Sequence, residues 1–158
     1  MKKLFLIPFL IMLCSCKSRT AMSFSETIVN KERSLQPEII KTESKVKTFS
    51  DAGQFDSMAV VSEKMERLVN DRLEEIKKLK TPDLEFADEF KNDAIDYFTY
   101  MKKVYTYYVK YAKAETDELK DKEMKNLQEL VSKKDEVIQK MQSSQKKFAD
   151  ANGFRIKK

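Results

Sequence analysis

The 158-residue chain contains no histidine and no tryptophan, two glycines, three prolines and two cysteines. Without histidine there is no imidazole for acid–base or nucleophilic catalysis, and none of the Glu-x-x-His pairs that hold di-iron centres in helical bundles. Two isolated glycines, Gly53 and Gly153, cannot form a glycine-rich phosphate loop. Two cysteines with no histidine fall short of a soft-metal ligand set. No catalytic residue, metal or cofactor is therefore assigned. The scarcity of turn-forming residues also excludes a chain of many short elements. What is abundant (Lys, Glu, Asp, Leu and Met) favours helix, so an all-α fold built from a few long helices is expected.

Both cysteines fall in the stretch "LCSC", residues 13–16. Residues two apart in an extended chain point to opposite faces, so a Cys14–Cys16 disulfide would strain the backbone. The surroundings suggest a different role. Met1, Lys2 and Lys3 form a basic start, and Leu4–Leu13 is apolar throughout. That is the shape of a secretory signal and is too short to span a bilayer comfortably. With Leu13 at −3 and Ser15 at −1, Cys16 resembles the acceptor of a bacterial lipoprotein lipobox; Cys14 would have bulky Leu13 beside it. The resemblance implies a cleaved signal over residues 1–15 and an acylated Cys16 at the mature N-terminus. It also implies two or three acyl chains, because one chain anchors only reversibly. Residues 16–21 then read as a lipidated start and short tether. Lys17 is not the aspartate that retains such lipoproteins at the inner membrane of Gram-negative bacteria, so an outer-membrane location is expected. Loss of Lys2 and Lys3 brings the net charge from +5 to +3, a mild balance.

Residues 22–158 read as one domain of four periodic segments. The first runs from Met22 to Phe49, with Phe24, Ile28, Leu35, Ile39 and Val46 on one face and Pro37 on the opposite, solvent side. Pro37 either kinks this helix or splits it. The second runs from Phe55 to about Lys80. The third is expected from Pro82, as its first helical residue, to Ala114. The fourth runs from Asp117, capped by Thr116, to Asn152, with Gly153 in the left-handed position after it and Phe154 folding back on Phe148 or Ala149. Short connections make chain neighbours antiparallel, which gives an up-down-up-down four-helix bundle. This layout, with its "KKFADANGF" ending, is similar to small helical-bundle bacterial lipoproteins of uncharacterised function.

Two features are candidates for chemistry. Arg72 falls inside the apolar stripe of the second helix, and equal counting from the turns brings Glu32, Asn92 and Asp93 to its level. An inward arginine must be paired, so these four are expected to form a polar layer that fixes register or holds a small anion. The run "FTYMKKVYTYYVKY", residues 98–111, interleaves Tyr and Lys. Tyr97, Tyr105 and Tyr108 lie with the core stripe, whereas Tyr100 and Tyr107 drift to its edge and are the candidates for a partner surface. The expected role is a non-enzymatic, lipid-anchored envelope module for binding or structure. Its partners would be the membrane, through the N-terminal lipid, and another envelope protein or wall polymer, not nucleic acid. The alternative is a small-ligand carrier or sensor built on the Arg72 layer.

The anchor assignment has a direct test. Cys16→Ala leaves unprocessed precursor and abolishes incorporation of labelled fatty acid, while Cys14→Ala changes neither. Equal labelling of both variants and the wild type refutes the assignment.

Overall fold

Helical periodicity accounts for nearly the whole chain. A computed structural model describes residues 11–156, with side chains from residue 17 onward. Of the expected signal, 1–15, residues 1–10 lie outside the described residues, as do the side chains of Cys14 and Cys16. The helices are α1 (Ile11–Asp51), α2 (Phe55–Lys78), α3 (Ala87–Ala112), α4 (Asp117–Val131) and α5 (Lys134–Ala151), with no strand among the described residues. The all-α helical bundle is thus present; among the described residues α4 and α5 together occupy the stretch expected as the fourth helix.

Three boundaries differ from the sequence reading. Residues 17–21, expected as a tether, are already helical, and α1 runs unbroken through Pro37. Proline removes one backbone N–H and leaves the carbonyl of Arg33 without its helical donor. Both residues are exposed, so water can serve that carbonyl and the helix continues. Pro82 does not open α3. It sits in a loop where Leu84 N donates to Pro82 O at 2.8 Å, and the helix starts only after Phe86, which takes a left-handed φ of 61°. The expected fourth helix breaks at Ser132–Lys133. Ser132 Oγ donates to Glu129 O at 2.8 Å, a local bond that competes with the helical ladder. Asp135 and Glu136 then favour a new N-terminus in the first turn of α5.

The ends at the two glycines follow the expected chemistry. At Gly53 (φ +67°), Gly53 N donates to Ser50 O at 3.1 Å and Gln54 N to Phe49 O at 2.8 Å, which closes α1 with a Schellman motif. At Gly153 (φ +68°), Phe154 N donates to Ala149 O at 3.2 Å, and the Phe154 ring meets Phe148 at 5.7 Å. Thr116 caps α4 by accepting from Leu119 N at 3.2 Å.

The packing is uneven. α3 is the central helix, lying against α2, α4 and α5, while α1 packs along α2 and meets α3 and α5 only sparsely. Where α1 does meet α5, the contact is aromatic. Phe24 lies edge-on to Phe90 (6.3 Å) and Phe148 (5.9 Å), and Phe90 stacks on Phe148 at 5.7 Å and 18°. Phe90 and Phe148 have no exposed surface. Hydrogen bonds reinforce this end: Ser18 Oγ to Gly153 O (3.0 Å), Gln145 Nε2 to Ser25 Oγ (3.0 Å) and Asn152 Nδ2 to Glu85 O (2.9 Å). A second, smaller cluster of Val46, Met58, Ala59 and Ala112 holds the far end of α1 to α2 and α3. The bundle is therefore closed around its N- and C-terminal end and open between α1 and α5 beyond it.

Phe148→Ala removes the ring shared by three aromatic contacts and lowers unfolding stability by about 3–5 kcal/mol in urea denaturation. Ile40→Ala, on a residue 68% exposed, changes it by no more than about 0.5 kcal/mol. Equal effects from the two would place the core elsewhere.

Candidate binding groove

The expected polar layer does not assemble. Arg72 is not interior: its side chain is 34% exposed, and Nη1 pairs with Glu75 Oε1 at 2.6 Å. Lys31 of α1 completes this surface cluster on Glu75 Oε2, and its ammonium, with Arg72 beside it, holds the Glu75 carboxyl below the usual range. Only a shallow notch lined by residues such as Leu68, Asp71 and Lys78 lies beside it. Asn92 is exposed. Asp93 is buried and belongs to a different cluster, pairing with Lys140 of α5 at 3.0 Å while Asp96 holds the same ammonium at 2.9 Å. The hydrogen bonds to Asp96 and Asp93 raise the Lys140 pKa. Glu32 points elsewhere again, accepting from Gln36 Nε2 at 2.8 Å and from the Tyr97 hydroxyl at 3.4 Å. The level count failed because it assumed that each helix begins at its sequence turn. The loop after α2 delays α3 until Ala87, and the arginine's length lets it leave the apolar stripe for water.

Glu32 leads instead to the opening between α1 and α5, a groove of about 640 Å³. Its floor comes from α3: Tyr97, Tyr100, Met101, Val104, Tyr105 and Tyr108. One wall is α1, with Val29, Glu32, Gln36, Ile39 and Glu43. The other is the end of α4 and α5, with Val131, Lys134, Ile138, Met141, Gln142 and Gln145. Tyr100, expected at a partner surface, is 9% exposed and forms part of this floor. Tyr107 lies outside the groove, with Lys110 Nζ 5.1 Å from its ring centre. Tyr97 and Tyr108, assigned from the sequence to the core, are half-buried in the floor.

The phenols are tied to the α1 wall. The Tyr108 hydroxyl donates to Glu43 Oε2 at 3.1 Å, as Tyr97 does to Glu32. Burial first, and then the neighbouring carboxylate, pushes the pKa of Tyr97, Tyr105 and Tyr108 upward: Glu32 acts on Tyr97, and Glu43 on Tyr105 and Tyr108. Tyr100 is raised by burial and then by Asp135. These phenols stay protonated and act as hydrogen-bond donors, not as bases. Neither Glu32 nor Glu43 has a cationic partner among the described residues. The described residues include no cluster of acidic or cysteine side chains able to hold a metal ion, and no helix long and apolar enough to cross a membrane. Chemically the groove can bury a narrow apolar body, offer aromatic faces and present carboxylates at its edge.

The chain matches no protein family, no curated protein and no solved structure.

The tyrosines make the fold sensitive to alkali. Their folded pKa values lie above the unfolded value of 10.0, so their contribution is fully present below pH 10.0 and is lost as pH rises beyond it. The urea midpoint falls in that range, and a Tyr97→Phe/Tyr108→Phe variant shows a shallower fall. Identical alkaline profiles for variant and wild type would mean that these hydroxyls are solvated.

Proposed function

We propose that this chain is a lipid-anchored protein of the bacterial cell envelope, held at the outer membrane through Cys16, that acts as a helical binding module. The groove between α1 and α5 is its working face. The observation that carries the reading is that groove: about 640 Å³ left unfilled along one side of an otherwise packed bundle, with a floor of four tyrosines. Natural interiors fill such space, and apolar recesses with a few polar groups at their edge are where ligands bind. The anchor rests on the basic start, the apolar run and the Leu13-Cys14-Ser15-Cys16 signature. The carrier reading as an anion site on Arg72 is set aside, because that guanidinium is already satisfied by Glu75 at the surface, and the groove presents carboxylates instead.

An uncharged fluorescent reporter, N-phenyl-1-naphthylamine, gains emission on entering the groove of the native protein. Val104→Trp fills the floor and weakens that binding at least about tenfold while leaving the helical circular dichroism unchanged. Undiminished reporter binding in a folded Val104→Trp protein refutes the groove as the binding face.

A further inference from the structure

The groove runs along α1, and the charge of that wall is of one sign. Glu32 and Glu43 are eleven residues apart on one helix, three turns, or about 16 Å at 1.5 Å per residue. Each accepts a phenolic hydrogen bond and keeps lone pairs free. Some acids elsewhere on the bundle are matched with cations (Glu75 with Lys31 and Arg72, Glu63 with Lys113, Asp93 and Asp96 with Lys140), while others, such as Glu66 with Thr106, are not. Glu32 and Glu43 have no cation within ion-pair distance among the described residues, so the α1 wall carries uncompensated negative charge into the groove. Lys134, exposed on the opposite wall, is the only lysine or arginine of the lining, and Asp135 is next to it in sequence.

Shape narrows the choice of occupant. The α1 wall from Val29 to Glu43 is about 20 Å long, so the volume of about 640 Å³ is spread along a slot. An unbranched chain of about that length can lie along this wall. Tyrosine faces accept both methylene groups and ammonium ions, the latter through the negative face of the ring.

We propose that the groove binds a linear aliphatic polyamine, lying along α1 with its methylenes on the tyrosine floor and its terminal ammonium groups at Glu32 and Glu43. The proposal deepens the reading of the groove as the binding face and rests on it. Extended spermine separates its terminal nitrogens by a distance comparable to that between the two carboxylates; putrescine cannot reach both.

The test is competition between spermine and N-phenyl-1-naphthylamine on the full-length lipidated protein in neutral detergent, with direct calorimetric titration of spermine. Spermine displaces the reporter, and putrescine binds at least about tenfold more weakly. Glu32→Gln and Glu43→Gln keep an acceptor for Tyr97 and Tyr108 but lose the charge, and each weakens spermine about tenfold without changing reporter affinity. Asp121→Asn, on the exposed side of α4, leaves spermine binding intact and controls for general attraction to acidic surface. Spermine that fails to displace a bound reporter, or that binds the Glu32→Gln/Glu43→Gln double variant as it binds wild type, overturns the polyamine assignment while the groove remains the binding face. Displacement by a basic peptide where spermine fails has the same consequence. If the reporter itself does not bind, both readings fall.

Discussion

The structure depends on one aromatic clamp. Phe24 of α1, Phe90 of α3 and Phe148 of α5, with Phe154 folded over the last, bring three helices together at the end where the chain both enters and leaves the bundle. The rings of Phe90 and Phe148 are fully buried there, and aromatic pairs of this kind contribute about 0.5–1.5 kcal/mol each beyond the area they bury. With α1 fixed to α5 at that end only, and to α2 along its length, the wedge between them stays open. The groove is thus a consequence of where the large side chains sit. The positions of α5 facing the gap carry Ile138, Gln142 and Gln145 rather than further phenylalanines.

Polar contacts then decide what kind of opening it is. The tyrosine hydroxyls donate to α1 carboxylates across the space, so that glutamate on one wall orients phenol on the floor. On the closed faces of the bundle the same residue types are consumed by partners: Thr106 donates to Glu66 at 2.6 Å, Lys102 to Asn70 at 2.8 Å, and Lys91 to the Leu79 carbonyl at 2.6 Å near the end of α2. These exposed and half-exposed pairs contribute little stability individually but fix which faces meet.

Much of the fold was legible in the sequence because it followed from local rules. The apolar periods of the first three helices, the Thr116 cap, and Gly153 with Phe154 folding back each depend on residues within a turn of one another. What failed depended on distance along the chain. Placing Arg72, Glu32, Asn92 and Asp93 on one level required exact helix starts, and the left-handed Phe86 shifted one of them. The break at Ser132–Lys133 was visible as six residues, all exposed, between Leu130 and Val137, but a run of good helix formers concealed it. The site was harder to see. Tyrosines 97, 105 and 108 obey the core period, and only the separation of α1 from α5, a tertiary fact, turns that stripe into a floor. A usable signal did exist: Glu32 and Glu43, three turns apart, flank Ile39 on a face that should otherwise have been apolar throughout.

The unbroken helix at the chain's beginning has a mechanical consequence. A flexible leader would let a surface-held domain tumble and sample every height above its membrane. Here the backbone is already coiled before Ala21 is buried, residue 16 lies within α1, and Ser18 is stitched to Gly153, so the sulfur proposed to carry the acyl chains sits on the rod itself. Measured along α1, the slot lies between about 20 and 40 Å from residue 16. An acyl anchor at Cys16, as proposed, would therefore hold the slot at a distance set by the helix and not by a flexible leader.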